Sequence, residues 1–152
     1  MTLKPLLIAL AVGGAALLAA PAAEAACSIS TTAINFGTYN VFQGSPADAD
    51  GQVTFRCTTF EFFVRIDLDR GGAPSFNPRQ MRQGSEILTY NLYRDASRNT
   101  IWGDGTSGTQ NFVQIFVFAN QNINVPVYGR IPASQDVSAG LYTNTVTATI
   151  NF

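Results

Sequence analysis

Hydrophobic and polar positions fall in short alternating or apolar runs along this chain, and no segment shows a convincing helical period. Short period-2 runs are separated by Gly, Asn, Asp and Pro, the residues that supply turns. The pattern predicts an all-β sandwich of about seven strands. Ser28–Phe36 is a first strand that ends at Gly37. Asp48-Ala-Asp-Gly51 reads as a turn leading into Gln52–Thr58, where Val53, Phe55 and Cys57 share a face. Phe62, Val64, Ile66 and Leu68 form the inward side of the next strand, with Arg65, Asp67 and Asp69 outward. Glu86–Arg94 brings Leu88, Tyr90 and Leu92 together, and Asp104-Gly105 marks a tight turn. Phe112–Ala119 is almost continuously apolar, which predicts a strand between two covered faces. Ile123–Ile131 runs up to Pro132. In Leu141–Phe152, Val146, Ala148, Ile150 and Phe152 fall on one face and Thr145, Thr147, Thr149 and Asn151 on the other. That final strand either finishes a sheet or marks where one is left open.

The beginning of the chain has a different character. Lys4, the apolar run Leu6–Ala20 and Ala23-Glu24-Ala25 read as a secretory signal, residues 1–25, cleaved after Ala25. A membrane anchor fits less well, because Gly13-Gly14 and Pro21 interrupt the run. A lipoprotein signal ending at Cys27 is disfavoured by Glu24. Residues 26–152 then form one domain, long enough for a real hydrophobic core.

Composition narrows the partners. Residues 26–152 hold eight Arg, no Lys and nine acidic residues. No basic patch points to nucleic acid, and no acidic run points to a cationic partner. Two cysteines in an exported chain are most simply one disulfide, Cys27 to Cys57. Free thiols or a metal pair are the alternative, poorly supported by two sulfurs without histidine.

Candidate chemistry is sparse. The chain has no histidine, which removes Ser-His-Asp and Cys-His catalysis and histidine metal sites. Asp67 and Asp69 could be a glycosidase pair, but neighbouring charges on a solvated strand face are far commoner. Asp48-Ala-Asp50-Gly51 echoes the start of a calcium loop without its later ligands. Gly103–Gly108 is glycine-rich but lacks the lysine and the strand-to-helix setting of a phosphate loop. Trp102, Tyr90 and Tyr93 could present rings to a glycan or another surface, although core is the commoner place for such rings. No enzyme, cofactor, metal or small-molecule substrate is expected.

Several blocks occur in a definite order: Cys27, Asn35-Phe-Gly37, Cys57, Phe76-Asn-Pro-Arg-Gln-Met-Arg82, Leu88-Thr-Tyr-Asn-Leu-Tyr93, Trp102-Gly-Asp-Gly-Thr106, Val127-Tyr-Gly-Arg-Ile-Pro132 and Ala139-Gly-Leu-Tyr142. Together they closely resemble the spore coat protein U domain family, which includes subunits of archaic (Csu-type) chaperone–usher pili. The resemblance implies an incomplete immunoglobulin-like β-sandwich lacking its last strand, completed by donor-strand complementation. It implies three kinds of partner: a periplasmic chaperone, an outer-membrane usher and other pilus subunits. It also implies export through the periplasm to the cell surface, as pilus, fimbria or coat. Val146, Ala148, Ile150 and Phe152 would line one wall of the acceptor groove, and Ile29, Ile34 and Phe36 the other. Polymerising members carry an alternating donor segment before the first cysteine, whereas only Ala26 separates the expected cleavage site from Cys27. The expectation is therefore a subunit that accepts a strand without donating one, at the tip or end of a fibre or in a coat. A surface fibre implies a part in adhesion or biofilm formation, although tip adhesins of these pili usually have an additional binding domain. The competing reading is a self-complete secreted sandwich that binds glycan or another surface.

Overall fold

Eight strands form where period-2 runs are bounded by turn residues, and they stack as two antiparallel sheets. The computed structural model describes residues 26–152; the expected signal segment and its cleavage site lie outside the described residues. The strands are β1 (Cys27–Thr32), β2 (Ala47–Cys57), β3 (Glu61–Leu68), β4 (Arg79–Gln83), β5 (Glu86–Tyr93), β6 (Phe112–Val117), β7 (Asn122–Ile131) and β8 (Ala148–Asn151). Five of them form one sheet in the order β1-β2-β7-β5-β4, and three form the other in the order β6-β3-β8. This is the all-β, two-sheet architecture that the alternation predicts.

The core lies between the sheets. Val53 and Phe55 on β2, Leu88, Tyr90 and Leu92 on β5, and Val125, Val127 and Ile131 on β7 face Val64, Ile66 and Leu68 on β3. Each fully buried side chain of this kind contributes about 1.5–3 kcal/mol relative to exposure. Trp102 is buried to 0% exposure and donates its Nε1–H to the Ile66 carbonyl at 3.1 Å. Its one polar atom is thereby satisfied where water is excluded. A disulfide joins Cys27 to Cys57, which are register partners on β1 and β2.

One buried cation organises the far side. Arg79 on β4 is fully buried. Its Nε and Nη2 donate to the Asp69 carbonyl, Nη2 also to the Trp102 carbonyl, and Nη1 to Asn91 Oδ1 at 2.9 Å. Burial lowers its pKa to about 10, so it stays charged at neutral pH. Phe76 offers its ring face 5.4 Å from the guanidinium. Arg79 thus ties the end of β3, the Trp102 loop and β5 together through carbonyls rather than a carboxylate.

Several sequence expectations are corrected. Asp48–Gly51 is no turn but part of β2, paired with β7, because Asp48 accepts two hydrogen bonds from Arg130 across the ladder. The first strand stops at Thr32, and Ala33–Phe36 runs on without a ladder partner. β4 was not anticipated; its RQMRQ sequence has too few apolar positions to show a period. Phe62 is 64% exposed instead of inward, lying at the end of β3 beyond the core. The Phe112–Ala119 run is not covered on both faces, since β6 is an edge strand and Val113, Ile115, Phe116 and Phe118 are exposed. In the last segment only Ala148–Asn151 forms a strand, pairing with β3, and Thr143 bridges to Arg82 on β4. The segment therefore crosses from one sheet to the other.

Candidate functional site: an apolar cleft between two unpaired segments

The chain that follows β1 and the chain that precedes β8 run past each other without joining. Among the described residues, 33–40 have no strand partner and 141–147 pair only at Thr143. Between them lies a cavity of about 370 Å³ whose walls include Ile34, Phe36, Val53, Leu68, Met81, Tyr90, Leu92, Val127, Val146 and Ala148. A second space of about 860 Å³ continues it along residues 33–41 and 137–142. The two share Ala33, Ile34, Phe36, Met81 and Tyr142 as lining, so they are one elongated cleft. Core residues Val53, Leu68, Met81, Leu88, Tyr90, Leu92, Val127 and Ile131 are part of its lining, so the core is open along this seam.

Glycines seat the first wall. A Cβ on Gly51 of β2 would stand 2.5 Å from Ile34 Cγ1, and one on Gly129 of β7 would stand 2.6 Å from Phe36 Cζ. Bare backbone at these two points lets Ile34 and Phe36 lie against the sheet. Phe36 also meets Tyr90 edge to face at 6.1 Å. Further along, Tyr39 donates its hydroxyl to the Pro132 carbonyl and accepts from the Gln135 amide, each at 2.9 Å.

Hydrogen bonds hold the second wall. Asn144 accepts from the Tyr90 hydroxyl at 3.0 Å and donates to the carbonyls of Gly71 and Gln80. Burial pushes the Tyr90 hydroxyl up to about 12, so it remains a donor throughout the physiological range. Arg82 and Thr143 exchange backbone hydrogen bonds of 2.9 and 3.2 Å. Asp69 accepts from the amides of Gly71 and Thr147, fixing the turn beside β8. Both walls are thus anchored, and apart from the Thr143–Arg82 bridge residues 33–40 and 141–147 make no ladder with any other described residue.

The structure distributes the sequence-derived candidates unevenly. Ile34, Phe36, Val146 and Ala148 line the cleft together. Ile29 and Ile150 pack against the core without lining it; they stand opposite Phe55 and Ile66 in the ladders. Phe152 is half exposed and also lies off the cleft. Met81, Tyr90, Asn144 and Tyr142 belong to the walls and were not assigned there from sequence. The Ala139-Gly-Leu-Tyr142 block was the one available signal for that end. Surface recognition by Trp102 is withdrawn, because its ring is enclosed and its N–H is used. Tyr90 is buried and its hydroxyl is committed to Asn144, so it offers no outer face either. Tyr93 is half-buried on β5 opposite Tyr128. Asp67 is occupied by Arg65 at 3.0 Å and by Asn151, and Asp69 by the turn amides, so neither carboxylate is poised for acid–base work.

Comparison with known proteins gives this arrangement a context. The chain is similar to the CsuC–CsuE chaperone–tip adhesion subunit pre-assembly complex from archaic chaperone–usher Csu pili of Acinetobacter baumannii. That likeness has a TM-score of 0.55 at 23% identity, covering 83% of this chain and 39% of that one. It establishes a shared immunoglobulin-like fold, and this chain spans about 39% of the other's length. Protein U of Myxococcus xanthus is 36% identical over 144 aligned residues, covering 84% of this chain and 78% of that protein. The Spore Coat Protein U domain model matches residues 14–149. This chain belongs to the Spore Coat Protein U domain family.

Proposed function

We propose that this protein is a non-enzymatic structural subunit of a surface fibre or coat, and that its cleft receives a β-strand from another polypeptide. The carrying observation is the cleft between residues 33–41 and 137–147, apolar inside and flanked by backbone that, among the described residues, makes no ladder beyond the Thr143–Arg82 bridge. A strand laid there finds main-chain partners on either side for affinity, and pockets for alternate side chains that set register. Left open, the same edges and apolar lining are a hazard, which a bound strand removes. The partners proposed are a periplasmic chaperone during export, an outer-membrane usher at assembly, and a neighbouring subunit in the product. The solved neighbour's description as a chaperone–subunit complex supports this reading.

The finer placement proposed is terminal: a subunit that accepts a strand without donating one, exported through the periplasm to the cell surface. Ile34, Phe36, Val146 and Ala148 are its strand-contacting residues.

The test is to titrate residues 26–152 with alternating apolar donor peptides and with a co-expressed periplasmic chaperone. A 1:1 complex is expected, with a raised melting temperature, and Ala148→Arg should weaken it at least tenfold. A chain that is already a soluble monomer with a cooperative melt, indifferent to every peptide, would instead be a self-complete binding module. Long fibres from the pure chain would refute the terminal placement.

A further inference from the structure

The two spaces of the cleft meet over Met81 of β4, which lines both of them while only 8% exposed. Leu88 stands opposite it in the β4–β5 ladder, and Tyr90, Leu92 and Val127 share its apolar lining. The second wall is stitched to β4 on either side of this residue. The Gln80 carbonyl accepts from Asn144 Nδ2, and Arg82 exchanges backbone hydrogen bonds with Thr143. A change of shape or polarity at Met81 therefore acts on the lining of the cleft and on the wall beside it together.

Met81 is also where oxidation can enter. It is the single methionine of residues 26–152, and both cysteines are closed in the Cys27–Cys57 disulfide. Those residues thus hold one thioether and no free thiol. The spaces over it, about 370 and 860 Å³, have room for a molecule the size of hydrogen peroxide. The thioether sulfur attacks one peroxide oxygen, the O–O bond breaks, and the products are methionine sulfoxide and water. A flexible apolar side chain becomes a polar one. The new S=O is a strong acceptor, and three polar residues of the same lining have no donor left for it. Tyr90 already donates to Asn144, Asn144 to the Gly71 and Gln80 carbonyls, and Tyr142 to the Ser138 carbonyl. An incoming strand with apolar side chains would bury that oxygen without a partner.

We propose, resting on the strand-acceptor reading above, that Met81 is a peroxide-sensitive modification site whose oxidation to the sulfoxide shuts the cleft to an incoming strand. The coupling is reciprocal: a strand in the cleft keeps peroxide from the sulfur, and the sulfoxide keeps out the strand. Only subunits still awaiting a strand are open to the oxidant, and reduction of the sulfoxide returns them to competence.

The test adds hydrogen peroxide to residues 26–152, either empty or filled with the alternating apolar peptide that binds tightest in the titration above. Intact mass follows the reaction, and peptide mapping locates it. The empty chain should gain one oxygen at Met81 at least tenfold faster than the filled chain. The sulfoxide form should bind the peptide at least tenfold more weakly, and methionine sulfoxide reductase should restore the affinity. Met81→Leu should bind peptide equally well before and after peroxide. Should oxidation unfold the chain, Met81→Gln, a polar side chain of similar length, gives an independent reading: weaker binding by the same factor with an unchanged near-UV spectrum. Equal oxidation of empty and filled chains overturns the inference, as does a Met81 inert to peroxide in the empty chain, or a sulfoxide or glutamine form with full affinity. An unoxidised chain that binds no peptide removes the strand-acceptor reading itself, and this inference with it.

Discussion

Replacing Gly129 by alanine should unseat Phe36 and reshape the cleft. The added Cβ would lie 2.6 Å from Phe36 Cζ, 3.0 Å from Phe36 Cε1 and 3.0 Å from the Ala49 carbonyl oxygen. No such contact is tolerable, and the backbone of the paired strand β2 is harder to move than one ring, so the ring leaves. A half-buried phenylalanine that loses about 100 Å² of contact forfeits about 2.5 kcal/mol at 25 cal/mol per Å². Its edge-to-face meeting with Tyr90 adds about 0.5–1.5 kcal/mol. The expected destabilisation is therefore about 3–4 kcal/mol. Urea unfolding followed by Trp102 fluorescence measures it, with or without bound donor peptide. The decisive version is a double-mutant cycle. Phe36→Ala alone should cost about as much, and Gly129→Ala should cost less in that background than in the wild type, because only the 3.0 Å approach to the Ala49 carbonyl oxygen remains. Simple additivity of the two changes would refute the claim that Gly129 exists to seat Phe36.

Three further outcomes are expected. Removing the disulfide by Cys27→Ser with Cys57→Ser should lower stability by roughly 3–4 kcal/mol on the loop-entropy model, read as a drop in the urea midpoint. Arg79→Met should cost about 3–5 kcal/mol, because it strands two buried carbonyls and the Asn91 side chain, and Arg79→Lys should fall between. The Tyr90 hydroxyl has a folded pKa raised to about 12, against about 10 when unfolded. Its contribution is fully present below pH 10 and is lost as pH climbs towards 12. The stability difference between the wild type and Tyr90→Phe should shrink over that window; a difference flat from pH 9 to 12 would contradict the assignment.

Much of the architecture was legible in the chain because period-2 alternation is a local property. Val53, Phe55 and Cys57, and likewise Leu88, Tyr90 and Leu92, declare their shared face without reference to any partner. The two cysteines, paired by elimination, meet as register neighbours. Four of the seven wall residues that the resemblance implies, Ile34, Phe36, Val146 and Ala148, line the cleft, while Met81, Tyr90 and Asn144 reach it from strands and turns distant in sequence.

Alternation by itself determined that this is an all-β sandwich, since each strand's burial is written in its own side chains. Where a strand stops pairing is a different matter, because a ladder needs a neighbour. Residues 33–36 and 141–147 have strand-like sequences, and only the arrangement of the sheets leaves them, Thr143 apart, without partners among the described residues and opens the seam between them. The same holds for Phe112–Ala119: its apolarity is local, but which of its faces meets solvent depends on β6 being an edge. Burial follows from what lies across from a residue, and that is decided only when the sheets come together.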